Sequence, residues 1–230
     1  MENKRIPEVP PFLNISASDT LLRFLELSRV LSLPRGKLCL RAHEPNDPIF
    51  FLLEGKAAVY NLTRCGRRKI LFVFGDGSLV NESLTGAIGN IYCETLEESR
   101  FQVIRQKDLL SLMEQDFELT RSLLAWQERK IWRLEHQLKN TIGSIYLERK
   151  LAAKLWKLAR DFGTPTAKGI LINIDLKITF LADLLGAPRE TTSRICHRLC
   201  DLGLIHIEKK EIYIPDPSRL SHFYRTSYKM

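Results

Sequence analysis

Residues 181–194 read LADLLGAPRETTSR, and this stretch decides how the rest of the chain is interpreted. Ala182 and Gly186 lie four residues apart, as a small residue at a close helix crossing and a glycine in the following turn would. Pro188 then suits the first turn of a second helix, where its missing N–H costs nothing. The stretch therefore predicts a helix-turn-helix.

Two short apolar runs follow this motif and predict a wing hairpin. Residues 204–207 and 212–214 flank the charged residues 208–211. Residues 141–230 carry 15 basic and 9 acidic side chains, so most of the formal net charge of +8 lies in the C-terminal part of the chain. A helix-turn-helix and a wing in the most basic segment together predict a DNA-binding domain.

The second helix of such a motif lies in the major groove, with its N-terminal residues at the base edges. Offsets of three and four residues place side chains on one helix face, where Arg can bind guanine, Glu can accept from cytosine and Ser can bind several bases. The candidate base-reading residues are Arg189, Glu190, Ser193 and Arg194. The candidate phosphate-binding residues are Lys177, Thr179, His197, Arg198 and Lys209. The alternative is an exposed helix face with an ion pair between Glu190 and Arg194.

The first half of the chain has the pattern of an antiparallel β structure. Short apolar runs alternate with turn residues over residues 31–103, which predicts a β barrel or jelly roll. Residues 49–53 and 69–74 have the composition of strands buried on both faces. Helices are predicted at residues 19–28 and 107–114, and a polar loop at residues 163–169. The overall class is α+β.

A long helix is predicted between the two halves. Its apolar residues follow one another at spacings of seven, seven, three and four, which is typical of a coiled-coil seam. The predicted dimerisation stripe consists of Phe117, Leu124, Ile131, Leu134 and Leu138. The same stripe could instead pack on the barrel of its own subunit. Residues 140–144 interrupt the pattern and predict a hinge, and a second helix follows over residues 145–162.

The five cysteines are scattered along the sequence and lack the close pairing of zinc or iron–sulfur sites. They are Cys39, Cys65, Cys93, Cys196 and Cys200, and we expect reduced thiols and no metal. Cys196 and Cys200 could share a helix face as small core residues. The sequence begins without a secretory pattern and has no membrane-spanning run, so we expect a cytoplasmic protein with no membrane partner.

With these features the chain resembles the catabolite-activator and fumarate-nitrate regulator (CRP/FNR) superfamily over nearly its whole length. The resemblance is carried by residues 49–56 (IFFLLEGK), the long helix and residues 181–194. It implies an effector-sensing double-stranded β-helix, that is, a cyclic-nucleotide-binding-like jelly roll, over residues 1–115. It further implies a dimerisation helix over residues 116–140 and a winged helix-turn-helix over residues 141–230. The implied partners are a second copy of the chain, a palindromic DNA with TGA-core half-sites, a small-molecule effector and RNA polymerase.

The departures from the family concern the effector. Residues 79–84 stand where cyclic-nucleotide members hold ribose and phosphate, and they contain no arginine. Leu134 and Glu135 replace the positions that would hydrogen-bond the purine. A cyclic phosphate facing Glu82 without an arginine would be poorly held, so we expect no cAMP binding, with a cyclic-nucleotide response as the alternative.

Cofactor-based sensing also lacks the residues it needs. The oxygen-sensing branch requires an N-terminal cysteine cluster, and residues 1–30 contain no cysteine. A haem sensor requires axial ligands, and the five isolated histidines provide no pair at a useful spacing. We therefore expect no cofactor.

A small organic molecule is the class of effector that remains after cyclic nucleotides and cofactors. Residues 90–92 (NIY) together with Lys130 resemble the branch of the family that senses halogenated phenols in dehalogenating bacteria. The resemblance implies that Lys130 pairs with a phenolate or carboxylate whose ring packs on nearby aromatic side chains. The implied pocket consists of Phe74, Glu82, Asn90, Tyr92, Trp126 and Lys130. Glu82 is a difference from that branch, whose members carry a positively charged residue near this position. In the alternative, Lys130 faces solvent and Trp126 is a core residue.

An enzyme is the competing class of function, because double-stranded β-helices also house metal-dependent oxygenases and isomerases. Such sites need two or three histidines and a carboxylate at set spacing. In the predicted barrel only His43 and Glu44 form such a pair. One histidine does not make a catalytic metal site, so we expect no enzymatic activity.

Overall fold

The computed structural model describes residues 10, 13–45, 47–139 and 147–225. Internal contacts divide the chain into two units. The first unit joins Met1–Asn61 with Leu71–Gln137, and the second joins Leu62–Ile70 with Leu138–Met230. The predicted hinge at residues 140–144 lies outside the described residues. Within the described ranges, no helix is long and apolar enough to cross a bilayer.

The first unit is an antiparallel β structure flanked by helices, as predicted. Its helices are α1 (Ser18–Leu27), α2 (Gln106–Gln115) and α3 (Phe117–Lys139). Its strands are β1 (Ser28–Leu33), β2 (Leu38–Leu40), β3 (Ile49–Glu54), β4 (Ala57–Leu62), β5 (Arg68–Phe74), β6 (Ser78–Leu79), β7 (Tyr92–Thr95) and β8 (Ser99–Ile104). One four-stranded sheet has the order β1-β8-β3-β6 and the other the order β2-β7-β4-β5.

Strand β3 shows why the two sheets form. Residues 49–52 are buried on both faces, which explains their uninterrupted apolar sequence. Phe50 and Leu52 face the core between the sheets, whereas Ile49 and Phe51 face a second core beneath the helices. Alternate side chains of one strand therefore supply two cores.

Asp116 fixes the junction between α2 and α3. Its carboxylate accepts hydrogen bonds from the main-chain N–H groups of Ser16 and Ala17, both at 2.9 Å, and from that of Leu119 at 3.1 Å. Burial would raise the pKa of Asp116, but these hydrogen bonds and one from the Ser16 hydroxyl outweigh it, so the pKa is lowered. This carboxylate caps α3 and ties the segment before α1 to it.

The second unit contains the predicted helix-turn-helix and wing. Its helices are α4 (Leu147–Phe162), α5 (Ile178–Leu185), α6 (Arg189–Asp201) and α7 (Pro217–Arg225). Its further strands are β9 (Gly163–Thr166), β10 (Gly169–Ile172), β11 (His206–Glu208) and β12 (Glu211–Ile214), which form one antiparallel sheet in the order β11-β12-β10-β9. The predicted helix over residues 145–162 is α4, and its buried face includes Leu151, Leu155, Leu158 and Ala159.

The prediction of a polar loop at residues 163–169 is wrong. Gly163–Thr166 forms β9, which pairs with β10 in antiparallel register. The residues are poor strand formers, and Pro165 cannot donate to a ladder. Because β9 lies at the edge of the sheet, only one of its sides needs partners, and its low strand propensity is tolerated there.

Candidate DNA-binding surface and effector site

Helix α5, the turn and α6 form the predicted helix-turn-helix. Gly186 ends α5 in the left-handed conformation with φ 75°, which glycine adopts without a Cβ clash. The N–H groups of Gly186 and Ala187 both donate to the Ala182 carbonyl, at 2.7 and 3.2 Å. Pro188 precedes the first residue of α6, and its carbonyl accepts from the Thr192 N–H at 2.9 Å. This tight turn sets the direction in which α6 starts.

One face of α6 is buried and the other is polar and accessible. Thr192, Ile195, Cys196 and Leu199 pack into the unit. Burial raises the pKa of Cys196 to about 11, so its thiol is a core group and not a thiolate. The opposite face therefore remains available to a partner.

The structure brings the four predicted base-reading residues together. Arg189, Glu190, Ser193 and Arg194 line one open depression at the N-terminal end of α6. Within the described part of the chain, Arg194 contacts the Thr191 hydroxyl at 3.4 Å and forms no ion pair with Glu190. The alternative of an internally paired helix face therefore does not describe this surface.

The predicted phosphate-binding residues are all exposed, but two of them already have acidic neighbours. Lys177 lies 3.7 Å from Asp175, and Arg198 lies 3.7 Å from Glu148 on α4. Thr179 and His197 lie on the outer surfaces of α5 and α6. Long exposed ion pairs are weak, so neither contact prevents a phosphate from competing.

Lys209 and Lys210 form the tip of the wing. They are the two loop residues between the paired positions Glu208 and Glu211, and both have positive φ, 50° and 73°. Two-residue hairpins favour such values, but asparagine and glycine adopt them with less strain than lysine. Two cations are therefore held at the wing tip at a conformational cost.

The predicted effector residues lie in the first unit, and two of them, Trp126 and Lys130, lie on the side of α3 that faces the barrel core. Lys130 Nζ donates to the Asn81 carbonyl at 2.8 Å and lies 5.9 Å from the centre of the Phe74 ring. The Lys130 ammonium therefore points inward, and the solvent-facing alternative is not what the structure shows. Burial lowers the pKa of Lys130 to about 8, while the Glu82 carboxylate acts in the opposite direction.

The Phe74 ring beside this ammonium belongs to an aromatic cluster. Phe72 and Phe74 stack with their centres 5.3 Å apart, and Trp126 lies 6.2 Å from Phe74. The Trp126 indole donates to the Leu79 carbonyl at 3.2 Å. Trp126 is thus packed against the core, as in the alternative, and its role in an effector pocket stays a prediction.

Arg133 belongs to this group, and the sequence reasoning missed it. Its guanidinium lies 5.0 Å from the Phe72 ring centre and 5.7 Å from that of Phe74. Arg133 follows Lys130 by three residues on a helix, so the two side chains share a face. That spacing was the signal in the sequence that could have identified it.

Glu82 and Asn90 are joined to each other, whereas Tyr92 lies elsewhere. The Glu82 carboxylate accepts the Asn90 N–H at 2.7 Å. Tyr92 stacks on Tyr60 with ring centres 5.3 Å apart, and it points to the opposite face of β7 from the core residue Cys93. The prediction that Tyr92 lines the pocket with Phe74 is therefore corrected, because the strand alternation turns it away.

The outer face of α3 carries an apolar series at intervals of seven residues. Phe117, Leu124, Ile131 and Leu138 are 72%, 54%, 55% and 67% exposed in the single chain. Leu134, predicted for the same stripe, is half-buried against the barrel core. Leu134 therefore follows the alternative of packing on its own barrel, and dimerisation through the four exposed side chains stays a prediction.

Comparison with known proteins agrees with this geometry. Residues 149–223 match the family described as the Crp-like helix-turn-helix domain. Residues 30–116 match the cyclic nucleotide-binding domain. The chain belongs to the CRP/FNR superfamily of transcription regulators. The resemblance drawn from residues 49–56 and 181–194 is confirmed.

CRP/FNR relatives cover most of the chain. The CRP-like cAMP-activated global transcriptional regulator of Mycobacterium tuberculosis is 26% identical over 190 residues, 82% of this chain and 84% of that protein. The global nitrogen regulator of Nostoc sp. is 24% identical over 191 residues, 81% of this chain and 85% of that protein. The structure of FixK2 from Bradyrhizobium japonicum has the same fold, with a TM-score of 0.75 at 18% identity over 87% of this chain and 98% of that one.

Membership in the CRP/FNR superfamily settles the class of function. Its members bind DNA through the winged helix and regulate transcription in response to ligands, and they are not enzymes. The described residues contain no cluster of three or more side chains that could hold a metal ion. Family membership, and not this absence, is what sets the metal-dependent enzyme aside as a competing interpretation.

Proposed function

We propose that the protein is a homodimeric regulator that binds a palindromic DNA site with TGA-core half-sites. The observation that carries this proposal is the open depression lined by Arg189, Glu190, Ser193 and Arg194 at the N-terminal end of α6. Arginine and glutamate side chains without internal ion pairing are suited to guanine and cytosine edges in a major groove. Lys209 and the other exposed polar residues then hold the DNA backbone and fix the register.

Dimerisation is assigned to residues 116–140. Phe117, Leu124, Ile131 and Leu138 expose an apolar stripe with the seven-residue repeat of a parallel coiled coil. A monomer that left this stripe in water would lose the free energy of burying four large side chains. A two-fold dimer places two copies of α6 about one turn of DNA apart, which demands a palindrome.

The DNA test compares two duplexes of equal composition. Fluorescence anisotropy is measured with a TGA-containing palindrome and with a scrambled duplex, over a range of salt concentrations. We expect the palindrome to bind on the order of 1,000-fold more tightly or better, with affinity falling as salt rises. Equal affinity for both duplexes, with and without added ligand, contradicts the proposal.

The effector is proposed to be a small organic anion with an aromatic ring. Lys130 supplies a desolvated ammonium next to Phe74 and Trp126, and a charged ligand would pair with it in a site of low dielectric. The Glu82 carboxylate accepts a hydrogen bond from the main-chain N–H of Asn90, which places a carboxylate rather than an arginine on this loop. A cyclic phosphate would need an arginine here, and residues 79–84 contain none, so cAMP is not the proposed effector.

A thermal-shift screen tests the effector. cAMP, benzoate-type acids and halogenated phenols are compared, because a ligand that binds only the folded state raises its Tm. We expect a shift with an anionic aromatic compound and its loss in Lys130→Ala, while Lys107→Ala, at an exposed site on α2, keeps it. The relative from M. tuberculosis is named for activation by cAMP. A shift with cAMP alone, unchanged in Lys130→Ala, would favour the cyclic-nucleotide alternative.

The regulator is further proposed to act in the cytoplasm and to contact RNA polymerase from its promoter site. Both proposals follow from family membership and from sequence-specific DNA binding. Co-precipitation of RNA polymerase with the DNA-bound protein tests the contact, and failure to recover more polymerase than from promoter DNA alone contradicts it.

A further inference from the structure

Cys39 and Cys93 are far apart in the sequence, but the structure brings their side chains together. Leu40 in β2 is the direct partner of Cys93 in β7, and the register shifts between Leu38 and Leu40, at Cys39 itself. The Cys39 thiol donates to the Cys93 carbonyl at 3.5 Å. Both side chains pack against the same core between the two sheets. The irregular register thus turns Cys39 toward Cys93 instead of away from it.

The contact between the two cysteines suits a covalent link. Cys39 is the extra residue of a β-bulge, between the residues that pair with Glu94 and with Cys93. Its Sγ lies 3.5 Å from the Cys93 carbonyl oxygen, and its side chain also forms a hydrogen bond with the Cys93 thiol. Cys39 is half-buried and Cys93 is buried. A small oxidant can therefore reach the first thiol, and the second is placed behind it.

We propose that Cys39 and Cys93 form a peroxide-oxidisable dithiol in the wall of the barrel core. The Cys39 sulfur attacks one oxygen of a hydroperoxide, the O–O bond breaks, and the leaving oxygen takes up the Cys39 proton to give water or an alcohol. The Cys93 sulfur then attacks the resulting sulfenic acid as its S–O bond breaks, and the hydroxide leaves with the Cys93 proton as water. The two thiols lose two electrons, and the peroxide gains them.

The environment assigns different roles to the two thiols. The hydrogen bond with Cys39 and its burial hold the pKa of Cys93 well above the ordinary value, so Cys93 stays protonated. A peroxide reaches the half-buried Cys39 before the buried Cys93, which leaves the first step to Cys39. Cys93 belongs to the same core as Phe72 and Phe74, so the disulfide would join β2 to β7 in the wall of that core.

Peptide mapping of the full-length protein tests the proposal. Protein treated with a few equivalents of hydrogen peroxide is blocked with N-ethylmaleimide and digested with trypsin without reductant. Cys39 and Cys93 fall on separate tryptic peptides, residues 38–41 and 70–100. We expect these two peptides to be disulfide-linked, two of the five thiols to be lost, and dithiothreitol to restore them.

Two variants complete the experiment. Cys39→Ser changes a half-buried thiol and is expected to abolish the linked peptide, while Cys65→Ser, at an exposed cysteine, is expected to keep it. The oxidised wild type is also expected to unfold several degrees higher than the reduced form, because the link closes a long loop. Three results would overturn the proposal: Cys65 is oxidised while peptides 38–41 and 70–100 stay separate, Cys93 is linked to another cysteine, or the link forms only in denaturant.

Discussion

At the scale of single residues, the wing tip combines charge with backbone strain. Lys209 and Lys210 both have positive φ, where each non-glycine residue costs roughly 1 kcal/mol or more. We expect the double change Lys209→Asn, Lys210→Gly to raise the free energy of unfolding by about 1 kcal/mol. If Lys209 binds a phosphate, the slope of log affinity against log salt also falls by about 1 for each lost contact.

Urea unfolding and DNA binding at several salt concentrations check this prediction together. A variant that is more stable and binds DNA with a smaller salt slope fits a strained turn that is kept for its charge. A variant that is less stable and has an unchanged salt slope contradicts both parts.

A second prediction at the scale of single residues concerns the buried ammonium of Lys130. Its pKa in the folded chain is about 8, below the ordinary 10.5. Between these values the unfolded chain binds more protons at this site, so the wild type gains stability as the pH rises through this window. Below pH 8 both states are charged and the full cost of burying the ammonium remains. We therefore expect the Tm of Lys130→Met relative to wild type to fall between pH 7 and pH 10.

Thermal unfolding at both pH values measures this difference. Other lysines titrate in both proteins and cancel in the comparison, and Lys107→Met is the matched control at an exposed site. If the Tm of Lys130→Met relative to wild type instead rises between pH 7 and pH 10, the predicted direction of the pH dependence is wrong.

At the scale of single elements, α3 has two faces with separate tasks. Ile131 lies in the middle of the exposed seven-residue series, whereas Leu134 packs inward. Burying an unpaired charge in a dimer seam costs about 3–5 kcal/mol, so Ile131→Arg should weaken dimerisation by a factor on the order of 100 or more. Trp132→Arg is the control, because Trp132 is also exposed but lies outside the seven-residue series.

Light scattering after size-exclusion chromatography measures the mass in solution of the wild type and of both variants. Wild type and Trp132→Arg are expected at twice the 26.6 kDa chain mass, and Ile131→Arg at the chain mass. A dimeric Ile131→Arg at low micromolar concentration would place the dimer interface on another element.

The start of α3 depends on one carboxylate. Asp116 is only 2% exposed and accepts the N–H groups of Ser16, Ala17 and Leu119. Asp116→Ala leaves these donors without their acceptor, so we expect a loss of about 2–4 kcal/mol at neutral pH. The lowered pKa means that this stabilisation is present above the ordinary carboxyl pKa and is lost as the pH falls through the folded value.

Urea unfolding at pH 7 and near pH 3 compares Asp116→Ala with wild type. The difference should shrink at the lower pH, because the wild-type carboxyl begins to protonate. Asp19→Ala, which removes an exposed carboxylate of α1, is the control. If Asp116→Ala loses as much unfolding free energy relative to wild type near pH 3 as at pH 7, or more, the capping role is contradicted.

At the scale of the whole molecule, the sequence predicted the elements better than the contacts between them. Turn residues and apolar runs predicted the barrel, and residues 181–194 predicted the helix-turn-helix because their turn chemistry is local. The strand β9 was missed because its pairing, and not its composition, makes it a strand. The orientation of Tyr92 and the contact of Cys39 with Cys93 depend on strand register, which the sequence leaves open.

The central claim is that the N-terminal residues of α6 read bases, while the wing holds the backbone. Its most direct test is the ratio of affinities for the TGA palindrome and the scrambled duplex, measured by anisotropy for wild type, Arg189→Ala and Lys209→Ala. We predict that Arg189→Ala weakens binding to the palindrome by about 1–3 kcal/mol per half-site with little change on the scrambled duplex. Lys209→Ala should weaken both equally. If Arg189→Ala lowers both affinities by the same factor, α6 does not read the sequence through Arg189.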